Sequence, residues 1–244
     1  MILAFALIAY LSALGVLFYM VLWLYPWSFM PTTVDTPSVV VHRAHPWLWD
    51  MVLMALFGLQ HSLMVRPAFK KRLERWMSDA SMRALYTLLS ALFLGAIFFC
   101  WVPDTRMVWS FDRGIGFWVL SALYVAAWGF ALVATFMIDH FSLFGLHQAW
   151  RYVRGVAEPE THFVERGFYR SMRHPIQAGT MAGLWATPQM SVGHLLFALV
   201  MSLYIMIGLY FEERDLIATF GDAYRDYRRR VPMLLPFVRG NNRT

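Results

Sequence analysis

The sequence has little charge and almost no cysteine. Only 15% of its 244 residues are Asp, Glu, Lys or Arg, whereas 59% are hydrophobic. A soluble domain carries roughly 25% charged residues and has no means of hiding this much apolar surface from water, so the composition excludes soluble globular and disordered chains. The single cysteine, Cys100, excludes an intrachain disulfide framework. Phosphate-binding glycine motifs and zinc-ligand spacings are also missing from the sequence.

The long stretches without charge have the length of membrane spans, each of which needs about 20 apolar residues. Four of them are predicted at 2–25, 47–65, 84–102 and 116–138. A fifth stretch, 176–211, would measure about 54 Å as one helix against a hydrocarbon core of about 30 Å. Because Pro188 and Gly193 bracket a plausible turn within it, the pattern predicts a helical hairpin with arms 176–187 and 194–211.

The basic residues predict the orientation of these spans. Of the 21 lysines and arginines, 18 fall in three segments, 65–83, 139–175 and 212–244, which six spans place on the cytoplasmic side. The basic pI therefore indicates membrane topology and contact with anionic lipid, and no nucleic acid partner. We predict an all-α, polytopic integral membrane bundle of about six spans with a cytosolic C-terminal helix. Both termini are expected in the cytoplasm, with the bundle in a bacterial inner membrane.

Two polar groups interrupt the front half of the chain. Gln60, His61 and Ser62 lie near the cytoplasmic end of the second span. They are consistent with hydrogen bonding between helices, with a substrate contact or a base, or with a metal or haem ligand. Asp139 and His140 stand where the fourth span ends, either in interfacial water or as functional groups.

A third polar group brackets the hairpin. Arg173, His174 and Pro175 lead into its first arm, and Glu212 and Glu213 follow its second. The hairpin returns both ends to one membrane face, so these charges are expected to meet. They either join the two arms as an ion pair or bind a zwitterionic ligand, with Arg173 holding its carboxylate and Glu212 its amine or hydroxyls.

The motifs in the second half of the chain resemble those of a known family. They are Tyr169, Arg173-His174-Pro175, Gly179, Glu212-Glu213, Phe220-Gly221-Asp222-Ala223-Tyr224-Arg225-Asp226-Tyr227 and Val231-Pro232-Met233-Leu234-Leu235-Pro236. As a set they resemble the membrane methyltransferase superfamily that includes isoprenylcysteine carboxyl methyltransferase. Segments 57–70 and 140–146 resemble its NnrU-type branch, and 185–195 with 212–236 are most similar to the bacterial thiol S-methyltransferases.

The resemblance implies S-adenosylmethionine as cofactor, bound between the hairpin and the tail. The implied cofactor-binding residues are His162, Phe163, Val164, Tyr169, Arg173, His174, Pro175, Ile176, Gln177, Glu212 and Glu213. Gln177 departs from the tyrosine usual in the superfamily. The chain then divides into a four-span membrane region, 1–138, and a cofactor-binding region, 139–244, which comprises the cytoplasmic loop, the hairpin and the tail.

The resemblance also implies the acceptor. Gly208 lies where isoprenylcysteine enzymes carry an arginine for the substrate carboxylate, which favours a small uncharged thiol such as methanethiol, with dimethyl sulfide as product. Because the thiolate is the reactive form of a thiol, a base is needed. His61 is the first candidate and His140 the second, with Gln60 and His61 as substrate contacts and no metal.

Three rival functions stay open at this point. The NnrU-type resemblance and the membrane histidines also suit a haem- or quinone-binding protein of nitrogen-oxide respiration, in which histidines would face each other as axial ligands. An isoprenylcysteine-type carboxyl methyltransferase is the second. A membrane reductase that uses a nicotinamide cofactor on the same scaffold is the third.

Overall fold

The chain folds into a bundle of long apolar helices. The computed structural model describes residues 1–37, 45–157, 159 and 163–236. Within these ranges five helices are long and apolar enough to cross a membrane: α1 (Ile2–Trp23), α2 (Pro46–Val65), α4 (Asp79–Cys100), α5 (Ile115–Ile138) and α9 (Val192–Phe220). Only 17–33% of the most apolar window of each is buried, so most of its side chains face outward, as in a bundle surrounded by lipid. The predicted all-α polytopic membrane fold is confirmed.

Shorter elements connect these helices. Helix α3 (Pro67–Leu73) follows α2, and α6 (His140–Leu143) and α7 (Leu146–Arg154) follow α5. A 3-10 turn at Gly167–Arg170 precedes α8 (Pro175–Trp185), and α10 (Asp222–Arg230) follows α9. Strands β1 (Met107–Ser110) and β2 (Gln189–Ser191), which the sequence did not predict, form an antiparallel pair with Ser110 opposite Gln189. This pair holds the α4–α5 loop and the turn before α9 at one end of the bundle.

The first arm of the predicted hairpin is shorter than expected. Helix α8 has 11 residues, or about 16 Å, so it does not cross a bilayer alone. It ends at Trp185 rather than at 187 because Thr187 precedes Pro188, and the residue before a proline disfavours helix. The helix packs closely along α5, where a Cβ added at Gly179 would lie 2.8 Å from the Ala127 carbonyl oxygen. Protein therefore covers this short arm.

The second arm is longer than expected. The prediction ended it at 211 and began a separate cytosolic helix at Glu212, but α9 continues to Phe220 without a break. Gly221, at φ +59°, then ends the helix, and α10 folds back. Tyr224, Tyr227 and Val231 form a buried cluster against Phe163 and the end of α9. Glu212 and Glu213 therefore project from a rigid helix.

Helix α4 is the centre of the front half. It packs against α1 and α2, while α5 packs against α8 and α9 contacts both α2 and α8. Helices α1, α4 and α7 approach closely because the side chains between them are small. The buried alanines at this contact are Ala6, Ala9, Ala80, Ala84 and Ala149. The division into regions at residue 138 stays a prediction.

Candidate active site

A cavity of about 820 Å³ lies between α1, α2, α3, α4 and α9. Its volume falls in the range of roughly 300–1,000 Å³ typical of small-molecule sites. One end is charged and is lined by Lys70, Glu74, Asp79, Arg83 and Glu212, with Gln177 beside them. The other end is apolar and is lined by Ala13, Val16, Leu17, Phe57, Ala91 and Leu94. The predicted His61 lies in its wall between the two ends.

His61 makes polar contacts with two side chains of α4. Its Nδ1 lies 3.0 Å from Ser90 Oγ and its Nε2 lies 2.7 Å from the Tyr86 hydroxyl. All three residues line the cavity. If Tyr86 donates to Nε2, then Nδ1–H donates to Ser90, which fixes a neutral tautomer with its basic nitrogen towards the phenol. The His61 ring also packs on Phe57, with centroids 5.4 Å apart.

Tyr86 and Ser90 are candidate functional residues that no sequence motif singles out. They are four residues apart in an apolar span, and that spacing places both on one helix face. This is the only signal that the sequence offers for them. Their pairing with His61 depends on how α2 packs against α4, which local sequence patterns do not encode.

Gln60 and His140, two other predicted residues, do not line the cavity. Gln60 Nε2 contacts Met64 Sδ at 3.1 Å, and its Oε1 is buried without a hydrogen-bond partner among the described residues. His140 is buried in α6, with Nε2 3.0 Å from the Tyr10 hydroxyl and Nδ1 2.7 Å from Thr135 Oγ1. Burial lowers the pKa of His140, although the neighbouring Asp139 carboxylate opposes the shift. In this position His140 connects α1 to α5.

Arg173 and Glu213 form a buried ion pair. Arg173 Nε lies 2.6 Å from Glu213 Oε1, and the two side chains are only 9% and 8% exposed. Arg173 also donates to the Val231 carbonyl, and His174 Nε2 lies 3.2 Å from the same Glu213 oxygen. The contacts of Arg173 and Glu213 thus correspond to the interpretation in which the ion pair joins the two arms, and they also bind the end of α10.

Glu212, the adjacent acid, is in the opposite situation. Its side chain is 48% exposed and lines the cavity, and the closest described basic group is His174 Nδ1, 3.9 Å from its Oε1. Burial raises the pKa of the Tyr169 phenol and the nearby Glu212 carboxylate raises it further, so Tyr169 is a neutral hydrogen-bond donor. Glu212 therefore offers the cavity a carboxylate that is not committed to an internal ion pair.

The remaining predicted cofactor residues differ in their relation to the cavity. Gln177, in the first turns of α8, lines it, and Pro175 and Ile176 begin that helix. Phe163 belongs to the aromatic cluster, 5.0 Å from the Tyr227 ring by centroids, while Val164 is 66% exposed. His162 lies outside the described residues.

The geometry gives no support to axial haem ligation. Both ring nitrogens of His61 and of His140 are engaged by protein side chains. Over the described ranges, no three His, Cys, Asp or Glu side chains are grouped closely enough to hold a metal ion.

Comparisons with known proteins identify the family. No family model and no solved structure matches the chain. The chain is 44% identical over 215 residues to methanethiol S-methyltransferase 2 of Bradyrhizobium diazoefficiens, and the alignment covers 88% of the chain and 82% of that protein. It is 40% identical over 208 residues to the methanethiol S-methyltransferase of Mycobacterium tuberculosis, with 85% of both covered. Nurim of Bos taurus is more distant, at 29% over 179 residues, with 70% of the chain and 68% of nurim covered. The chain belongs to the methanethiol S-methyltransferase family of membrane proteins.

Proposed function

We propose that this protein transfers a methyl group from S-adenosylmethionine to methanethiol and releases dimethyl sulfide. The observation that carries the proposal is that one cavity contains both an accessible carboxylate, Glu212, and a histidine paired with a phenol, His61 and Tyr86. The relatives named as methanethiol S-methyltransferases support the choice of acceptor.

The charged end of the cavity fits the polar groups of S-adenosylmethionine. Glu212 is suited to its amine or ribose hydroxyls, Gln177 to an amide contact, and Lys70 with Arg83 to its carboxylate. Arg173 was predicted to bind that carboxylate, but its guanidinium already contacts Glu213. We therefore propose that the Arg173–Glu213 ion pair supports the structure of the site. Phe163, Val164, Tyr169, His174, Pro175 and Ile176 stay predicted contacts. When bound, the cofactor supplies a methyl group on a positively charged sulfur.

The His61–Tyr86 pair is suited to removing the thiol proton. The thiol donates to the Tyr86 oxygen while the phenol proton moves to His61 Nε2, and Ser90 accepts a hydrogen bond from Nδ1. The apolar walls beyond His61 exclude water, so the thiolate meets the methyl group without a hydration shell. The protein thus needs to align two reactants and hold one proton.

Gas chromatography tests the proposal directly. Purified protein in detergent is mixed with methanethiol and S-adenosylmethionine that carries a trideuterated methyl group, and the headspace is analysed by mass. We expect dimethyl sulfide three mass units heavier than the unlabelled compound. Methylation of a farnesylcysteine analogue without any turnover of methanethiol would instead favour the isoprenylcysteine-type function.

The orientation of the protein belongs to the same proposal. We place it in a bacterial inner membrane with both termini in the cytoplasm and with basic side chains near anionic lipid headgroups. In support, the basic segments around α3 and α10 lie at one end of the bundle and the β1–β2 pair lies at the other. The cavity's charged end then faces the cytoplasm, from which the cofactor enters.

A further inference from the structure

The cavity extends beyond the place where methanethiol would react. Ser90 contacts His61, and Leu94, one turn further along α4, still lines the cavity. Four helical residues correspond to about 6 Å. We call this part the tail chamber, and it is lined by Ala13, Val16, Leu17, Phe57, Ala91 and Leu94. None of these side chains has a polar atom, and the single carbon of methanethiol leaves most of the space unused.

We infer that the tail chamber receives the alkyl chain of longer thiols, so that the protein also S-methylates straight-chain alkyl thiols of up to about five carbons. The inference rests on the proposed function, because it places the acceptor sulfur at His61. An extended chain advances about 1.2 Å per bond, since three backbone bonds span roughly 3.6 Å. About five bonds therefore fit within the 6 Å between the levels of Ser90 and Leu94.

The reaction at the sulfur is the same for every member of the series. The thiol's S–H proton passes to the Tyr86–His61 pair, and its sulfur forms a bond to the methyl carbon. The bond between that carbon and the sulfonium sulfur breaks, and its electron pair stays on S-adenosylhomocysteine. The product is a methyl alkyl sulfide, and the proton leaves the histidine for solvent after release. No oxidant or reductant is needed.

Burial of the alkyl chain gives the expected size of the effect. Moving one methylene from water into an apolar site is worth about a fourfold gain. A hydroxyl at the same position finds no hydrogen-bond partner in the tail chamber and is disfavoured. Propanethiol and 2-mercaptoethanol have the same number of heavy atoms and differ in this one group, so they form a matched pair of substrates.

The test measures kcat/KM for the purified full-length protein with methane-, ethane-, propane-, butane- and pentanethiol, corrected for partition into detergent. We expect a two- to fourfold rise per methylene up to butanethiol or pentanethiol, and a value for 2-mercaptoethanol at least tenfold below that for propanethiol. A steady fall from ethanethiol onward, or equal values for the matched pair, would overturn the inference. Loss of turnover with methanethiol itself would instead contradict the proposed function.

Variants of α4 test the location of the chamber. Ala91→Leu fills it, so the ratio of kcat/KM for butanethiol to that for methanethiol should fall at least tenfold. Leu94→Ala enlarges the chamber and should move the highest kcat/KM to a thiol with a longer chain. This second variant tests the location of the chamber even if Ala91→Leu does not fold. Leu92→Phe is the control, because Leu92 is on the same helix but 57% exposed on its outer face. An equal change of the ratio in the control would exclude the chamber as the cause.

Discussion

At the scale of single residues, two adjacent acids have different environments. Glu213 is buried against Arg173 and His174, whereas Glu212 extends into the cavity. Consecutive residues on a helix point about 100° apart, so one acid faces the packed side of α9 and its neighbour does not. This difference predicts separate consequences for the same substitution at the two positions.

Glu212→Gln should weaken binding of S-adenosylmethionine by about 10- to 150-fold, because a hydrogen bond to a charged group is worth about 1.5–3 kcal/mol. Glu213→Gln should instead lower the free energy of unfolding by about 3–5 kcal/mol, since it leaves Arg173 buried without its counter-charge. Calorimetric titration and thermal unfolding of both variants in detergent separate the effects. The assignment fails if Glu213→Gln weakens binding while it leaves the unfolding temperature unchanged.

His61→Ala should lower turnover of methanethiol about 10²- to 10⁴-fold at neutral pH, the usual contribution of a general base. Raising the pH towards the pKa of the thiol should restore much of the activity, because the substrate then ionises without help. The measurement is the pH–rate profile of the variant beside that of the parent protein, with folding followed in parallel.

His140→Ala is the matched control for that experiment. Its contacts with Tyr10 and Thr135 connect helices, so we expect lower thermal stability and no recovery at high pH. Recovery in His140→Ala together with parallel profiles for His61→Ala would make His140 the base.

At the scale of elements, the contact between α5 and α8 depends on a glycine. Gly179→Ala introduces a Cβ 2.8 Å from the Ala127 carbonyl oxygen and 2.9 Å from the Ala131 Cβ, and such overpacking costs about 1–3 kcal/mol. Gly129→Ala in α5 is the control, because its added Cβ meets nothing within 4 Å. There the better helix propensity of alanine should raise stability slightly. Thermal unfolding that ranks the two variants in the reverse order would contradict this packing.

Asp139 caps the helix that follows α5. Its Oδ1 accepts a hydrogen bond from the Ser142 N–H at 3.0 Å, and Oδ2 lies 2.9 Å from His147 Nδ1. Partial burial opposes ionisation, but the hydrogen bonds from Ser142 and His147 outweigh it and hold the pKa of Asp139 below its ordinary value.

Asp139→Ala should lower the free energy of unfolding by about 1 kcal/mol at pH 7, a common cost for losing an N-cap. A carboxyl whose pKa is depressed in the folded state contributes stability above its unfolded pKa of about 3.9 and loses it as pH falls through the folded pKa. The difference between variant and parent should therefore shrink below about pH 4. Unfolding followed in detergent from pH 3 to pH 8 measures this difference, and a constant difference over that range would exclude the ionised cap as the cause.

At the scale of the whole molecule, the bundle predicts which surfaces face each side of the membrane. In a Cys100→Ala background, a membrane-impermeant maleimide should label Asp112→Cys, in the β1–α5 connection, in intact spheroplasts. It should label Asp226→Cys, on α10, only after lysis. Both side chains are exposed, so only the membrane limits access of the reagent to them. Labelling of both positions before lysis would contradict the proposed cytoplasmic location of the tail.

Most of the architecture follows from the hydropathy pattern of the sequence. A run of about 20 apolar residues has to cross a bilayer as a helix, because lipid satisfies no backbone hydrogen bonds. The predicted spans at 2–25, 47–65, 84–102 and 116–138 therefore lie within a few residues of α1, α2, α4 and α5. That the basic start and the acidic end of the hairpin would meet also followed from the sequence, since a hairpin returns its ends to one face.

The contacts of those residues depend on how the helices pack. The sequence did not show that Tyr86 and Ser90 would reach His61 across two helices, nor that Glu212 would line the cavity while Glu213 closed an ion pair. It also missed that β2 would pair with β1, and it predicted a first hairpin arm longer than α8, which has only 11 residues. Hydropathy reports the preference of each residue for lipid or water. Helix rotation and strand pairing instead depend on side chains distant in sequence, so the cavity exists only once the helices have packed.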